Sequence, residues 1–295
     1  MTVDSGATAE DVGPGDPEPS PVAAPTDSVR FDLRYREAGS GPIVVLVHGF
    51  PTDGQVFEGQ LDAARSGALA ARIVAVDLPG FGETPFDPDG VATPEILDVE
   101  ILAESLANVI RRLTPGTVVV GGVAIGGYVC IELASRHPEL VAGLVLSGTK
   151  AAPDNPAMAE QRKDVAKLAF EDGSLAVADK LAGHPLGPNA SDADRDRLHA
   201  LIAAAEPRGI AALVQGLARR PDPTPALEAL RVPALVISGS ADPFVTEAES
   251  KRLVEVTPDA RLVVLDGVGH VVPFEAPEAY CVALAEFLAG LPTQK

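Results

Sequence analysis

The chain has no tryptophan, only three tyrosines and two cysteines, and no apolar run near the roughly 18 residues that a membrane-spanning helix needs. Cys130 and Cys281 are far apart and form neither a disulfide framework nor a metal-ligand spacing, which points to a reducing, cytoplasmic setting. Positive charge is the scarce sign: 23 Lys and Arg stand against 42 Asp and Glu, a net charge of −19. That balance argues against nucleic acid and anionic membrane surfaces as partners. The acidity itself reads as solubilising charge on helix surfaces and in the N-terminal stretch. Residues 1–27 are rich in Pro, Gly, Asp, Glu, Ser and Ala. They offer neither a basic start nor an apolar segment, so the reading is a disordered tail and not a signal peptide.

What is present is an ordinary globular balance, 46% apolar and 22% charged residues over 295 positions. This length suits one large α/β domain with an insertion, or two small domains. Arg30 to Tyr35 alternates like a half-exposed strand, and Pro42–Val47 and Arg72–Asp77 are apolar runs of the kind found in central parallel strands. Helices are predicted over about 53–65, 94–113 and 128–136, with strands at 118–123 and 141–146. From 150 to 221 the strand signal disappears and Ala-, Leu- and charge-rich helical stretches take over, which reads as a helical cap inserted into a sheet domain formed by 28–149 and 222–295. Strand signals return at 234–238 and 261–265, before a last helix at 277–289. Two phosphate-loop lookalikes fail: Gly80-Phe81-Gly82 lacks a third glycine, and Gly143–Gly148 is followed by Thr149-Lys150 in the wrong order.

The chain is organised around Val118 to Tyr128, where a β-branched run meets Gly122-Val123-Ala124-Ile125-Gly126 and then a helix pattern. Strand, sharp turn and helix with Gly-x-X-x-Gly at the turn is the frame of a nucleophile elbow. Its apex should be Ser, Cys or Asp, and it is Ala124. Downstream, the run at 234–238 ends in Gly239-Ser240-Ala241-Asp242-Pro243, and the run at 261–265 ends in Asp266-Gly267-Val268-Gly269-His270. A carboxylate and an imidazole therefore follow consecutive strands, at the sheet edge where ligands bind. The order elbow, acid, His suits a nucleophile whose proton His270 takes while Asp242 orients the ring. The N–H groups of Ile125 and Phe50 are positioned as the oxyanion donors. His48 reads as a loop holder, His137, His184 and His199 as surface or cap histidines, and Cys130 as a packing residue.

Together, His48-Gly49-Phe50-Pro51, Asp77 to Gly82, the glycine elbow, Asp242 and Gly269-His270 resemble the α/β-hydrolase superfamily over about residues 29–291. The similarity is to its esterase and enol-lactonase branch. The resemblance implies a mostly parallel central sheet flanked by helices with an inserted helical cap, a triad of position 124, Asp242 and His270, an acyl-enzyme, and no cofactor or metal. Epoxide hydrolases and haloalkane dehalogenases fit poorly. Both need an Asp nucleophile; the first use cap tyrosines, and the second commonly use Trp, which is absent.

Ala124 is the departure, since the family carries Ser there. The chain reads first as a serine hydrolase of small-molecule esters or lactones with its nucleophile replaced by alanine. The alternative is a natural non-hydrolytic member, either using Asp242–His270 as a general base or serving as a ligand-binding pseudoenzyme. Expected pocket neighbours are Phe50, Pro51, Asp53, Ile125 and Val271. The cap's Ala and Leu content suits a largely apolar ligand and equally suits packed helices. C–C bond hydrolysis, which uses the same triad, stays open.

Overall fold

The β-branched runs become the inner strands of one sheet. The protein is represented by a computed structural model that describes residue 1, residues 30–87 and residues 95–292. The predicted tail, residues 1–27, lies outside them except for residue 1. The strands are β1 (Tyr35–Gly39), β2 (Ile43–Val47), β3 (Arg72–Val76), β4 (Val118–Val123), β5 (Val141–Ser147), β6 (Ala234–Gly239) and β7 (Ala260–Leu265). They form a seven-stranded sheet in the order β1-β3-β2-β4-β5-β6-β7. β1 runs antiparallel to β3, and all other pairings are parallel. β4 and β6 are buried along their whole length, as strands covered on both faces must be.

The helices are α1 (Glu58–Ser66), α2 (Val99–Leu113), α3 (Ile125–Arg136), α4 (Pro156–Leu181), α5 (Asp192–Ala203), α6 (Pro207–Arg219), α7 (Thr224–Glu228), α8 (Glu247–Val256), α9 (Val272–Glu275) and α10 (Pro277–Gly290). From β2 the chain steps one way across the sheet to β3, then returns past β2 to β4. Right-handed crossovers in opposite directions put α1 and α2 on opposite faces. α1 packs with α10, and α2 with α3. The C-terminal ends of β2 and β4 flank the point where the strand order reverses, the crevice in which open parallel sheets bind ligands.

Residues 148–233 hold α4 to α7 and, among the described residues, no strand. α4 bends at Gly173, where φ is 83°, and packs on α5 and α6. This helical block is fastened to the sheet domain: Glu206 N–H donates to Gly80 O at 2.8 Å and Leu97 N–H to Ala212 O at 3.0 Å. Gly80 and Gly209 meet so closely that a Cβ on either would lie 2.6 Å from the other's Cα. Among the described residues no helix is long and apolar enough to cross a membrane.

Several boundaries differ from the sequence expectation, among them α3, which starts at Ile125 and not at 128. The alternation at Arg30 to Tyr35 buries Phe31 and Leu33, yet the strand begins only at Tyr35. The reason lies in the hydrogen bonds: Phe31 N–H donates to Ser105 Oγ and Arg34 N–H to Thr84 Oγ1, so side chains stand where a ladder partner would. The helix expected from 53 opens as a 3-10 turn, Gly54–Phe57, and the one expected from 94 begins at Val99, position 94 itself lying outside the described residues.

Candidate functional site

β4 ends at Val123, and α3 starts at Ile125. Between them Ala124 has φ 50° and ψ −112°, a backbone conformation that costs a residue with a Cβ about 1–3 kcal/mol. Neighbouring strands hold it there. Ala124 N–H donates to Ser147 O at 2.8 Å, and its carbonyl accepts from Thr149 Oγ1 at 3.1 Å. A Cβ on Gly126 would lie 2.1 Å from Val47 O, and one on Gly122 would lie 2.1 Å from the Gly126 carbonyl carbon. Both glycines are therefore demanded by the close approach of strand and helix.

The loop after β2 crosses in front of this turn. His48 is fully buried, and its Nε2 accepts Leu78 N–H at 2.9 Å. An amide can only donate, so the ring proton sits on Nδ1, which donates to Gly49 O at 2.9 Å. Burial holds the His48 pKa below 6.5, against the pull of that hydrogen bond and of Asp77 and Asp53. His48 is thus a neutral strut that fixes the loop carrying Phe50. Among the described residues neither Phe50 N–H nor Ile125 N–H has a protein acceptor.

The loops after β6 and β7 bring Asp242 and His270 together. Asp242 Oδ2 lies 2.8 Å from His270 Nδ1, while Oδ1 accepts Phe244 N–H at 2.8 Å and Val245 N–H at 3.0 Å. The Asp242 side chain is 1% exposed and that of His270 12%. With Nδ1 committed to Asp242, Nε2 of His270 has no partner among the described residues, and the ring meets Phe244 edge-on at 5.0 Å. Such a dyad can accept a proton through Nε2 while the carboxylate stabilises the resulting cation.

Ala124 and His270 both line a cavity of about 240 Å³. Phe50, Pro51, Ile125 and Val271, expected as neighbours, line it too. Asp53 does not. Its Oδ1 caps the turn at Gly54–Phe57 by accepting Gln55 N–H, and its Oδ2 accepts Gln55 Nε2 at 3.1 Å. An acidic residue just before a helical turn is drawn to the turn's free N–H groups. His137, His184 and His199 lie off the cavity. Cys130 is buried in α3, and burial pushes its thiol up.

Other residues of the site were not anticipated. Tyr128 lines the cavity, and its place four residues after Ala124 on one face of α3 was a usable signal. Lys150 and Arg162 line it from the helical block and the segment leading into it. Glu275 accepts Gly269 N–H and Val271 N–H, and also Gly187 N–H at 2.6 Å from the helical block. Burial pushes the Glu275 carboxyl up, opposed by these three N–H groups and by His270. No sequence pattern marks that arrangement.

A profile of the alpha/beta hydrolase family matches residues 44–283. The 2-(acetamidomethylene)succinate hydrolase of Mesorhizobium japonicum is 28% identical over 278 residues, covering 90% of this chain and 95% of its own. A thermophilic esterase from Thermogutta terrifontis, solved with malate bound, superposes with a TM-score of 0.80 at 30% identity, over 90% of this chain and 98% of that one. The enol-lactonase of Burkholderia xenovorans LB400 shares the fold, with a TM-score of 0.77 at 23% identity over 87% of this chain and 96% of its own. Sheet order and family match agree, and this chain belongs to the alpha/beta hydrolase family.

Proposed function

We propose that this chain is the alanine form of a serine hydrolase that cleaves a small-molecule carboxylic ester or lactone. The observation that carries the reading is His270, held through Nδ1 by Asp242 and lining the same cavity as a strained elbow. A ligand-binding protein has no use for a poised imidazole or for strain at Ala124.

In the serine form, the hydroxyl at position 124 attacks the carbonyl carbon as His270 Nε2 takes its proton. The Phe50 and Ile125 N–H groups hold the oxyanion. His270 then returns the proton to the leaving alkoxide, and an acyl-enzyme remains. Water repeats the sequence, giving its proton to His270 and releasing the acid. Asp242 keeps Nδ1 protonated throughout. The helical block serves as the cap, and no cofactor takes part. With alanine at the apex, substrate binds and is not turned over, a loss on the order of a millionfold in rate.

The test is labelling with a fluorophosphonate probe, run on this chain and on Ala124→Ser in parallel. Labelling and ester hydrolysis in the variant alone are expected. A folded Ala124→Ser protein that stays unlabelled and inert towards activated esters overturns the reading. Ala124 itself favours a second one, in which Asp242–His270 removes a proton from a bound carbon acid. Solvent-deuterium incorporation into such a ligand by the unmodified chain, abolished in His270→Gln, distinguishes it.

A further inference from the structure

We propose that the cavity contains a carboxylate-binding subsite formed by Lys150 and Arg162, so that the substrate carries a free carboxylate in addition to its ester or lactone bond. The proposal rests on the hydrolase reading for the reacting bond, and on different residues for the anion.

The cavity wall is largely apolar, with Val123, Val165, Leu181, Ile202 and Val214 among its residues. Among the described residues no Asp or Glu lines it, whereas Lys150 and Arg162 do. Arg162 is already anchored. Its Nε is held by Asp154 Oδ2, and Asp154, whose side chain is 2% exposed, gives its other oxygen to Arg220 Nη2 at 3.0 Å. One carboxylate is therefore shared by two guanidiniums, and the bond to Asp154 runs from Nε of Arg162 and not from its terminal nitrogens. A guanidinium fixed through Nε presents its remaining edge to a planar anion at little entropic cost.

Lys150 is the second donor. Its side chain is 11% exposed, and its one carboxylate contact among the described residues, Glu249 Oε1, is long at 3.4 Å. The other Glu249 oxygen is occupied by Thr246 N–H and Oγ1. Arg220 lies 4.0 Å over the Tyr128 ring and donates to its hydroxyl at 3.2 Å, leaving Nε and Nη1 buried without a partner. The Tyr128 hydroxyl also accepts Lys150 N–H at 3.4 Å, so its own proton is available to donate. Lys150, Arg162 and Arg220 thus share Asp154 and Glu249, with the exposed Asp222 also acting on Arg220, so the carboxylates that answer these cations all stand outside the cavity lining. An ammonium and a guanidinium lining an otherwise apolar wall favour an anionic group on the ligand.

The subsite opens into the same cavity as Ala124. Tyr128 stands about one helical turn from Ala124, and Lys150 follows Thr149, whose hydroxyl bonds the Ala124 carbonyl. A short aliphatic half-ester of a dicarboxylic acid is of a size for the cavity of about 240 Å³.

The test compares two esters on the Ala124→Ser protein: mono-p-nitrophenyl glutarate and p-nitrophenyl pentanoate, which differ by a carboxylate in place of a methyl group. The anionic ester is expected to have a kcat/KM higher by roughly tenfold or more, and Arg162→Gln or Lys150→Met to shrink that ratio by about the same factor. A ratio at or below one, or one unmoved by both substitutions, overturns the subsite. Calorimetry on the unmodified chain with monomethyl glutarate and methyl pentanoate separates the two readings. Preferential binding of the anion, lost in Arg162→Gln, alongside an inert Ala124→Ser protein, keeps the subsite and removes the hydrolase. Turnover of both esters without preference does the reverse.

Discussion

Glu275 grips the chain on both sides of His270, its Oε2 accepting Gly269 N–H at 3.0 Å and its Oε1 accepting Val271 N–H at 3.1 Å. The same Oε2 takes Gly187 N–H from the helical block, so one carboxylate joins the histidine loop to the segment above it. Glutamine cannot reproduce this, because its amide nitrogen would face N–H donors. In the Ala124→Ser background, Glu275→Gln should lower kcat roughly ten- to hundredfold through misplacement of the imidazole. KM should change little, and titration with a fluorophosphonate should still count a full complement of sites. A reduced site count with unchanged kcat per site would assign Glu275 to stability alone.

The strain at Ala124 is measurable. Its φ of 50° and ψ of −112° suit glycine better than any residue with a Cβ. Removing the Cβ recovers about 1–3 kcal/mol of strain and loses about 0.5–1 kcal/mol to the greater freedom of unfolded glycine. Ala124→Gly should therefore stabilise the protein by about 1 kcal/mol, read as a higher urea midpoint at constant slope. A lower midpoint would mean that the turn relaxes in solution. Ala124→Ser, which keeps the Cβ, should shift the midpoint far less.

Those features that depend on short stretches of chain were legible in the sequence. The elbow glycines, the β-branched runs on either side and the placement of Asp242 and His270 after consecutive strands are all local patterns. Each survives without knowledge of what lies opposite. Asp53 misled because the same local logic had two outcomes: an acidic residue after His48-Gly49-Phe50-Pro51 can face a ligand or cap a turn, and free N–H groups at Gly54–Phe57 captured it. Arg30 to Tyr35 misled because alternation reports which side chains are buried and not what receives the backbone hydrogen bonds. Asp154, Arg162 and Arg220 form one ion cluster from positions as many as 66 apart. Glu275 reaches across 88 positions to Gly187. No periodicity encodes such meetings; they follow from where the helical block folds back.

His48 makes the protein sensitive to mild acid. It is buried, neutral and hydrogen-bonded through both ring nitrogens, with burial holding its pKa below the ordinary 6.5. In the unfolded chain the imidazole takes up a proton as pH falls through about 6.5, while the folded chain resists that uptake. More protons are then bound by the unfolded state, so stability declines as pH drops from about 6.5 towards the lower folded-state pKa, and is unaffected above it. The slope approaches about 1.4 kcal/mol per pH unit where the difference is one full proton. His48→Gln removes the titrating ring while offering Leu78 N–H an amide oxygen. It should cost about 1–2 kcal/mol at pH 8 from poorer packing and the altered bond to Gly49, yet flatten the decline between pH 6.5 and 5. Urea midpoints of both proteins at half-unit pH steps check this. Parallel curves across that interval would mean that His48 is protonated in the fold and that carboxylates alone account for the acid loss.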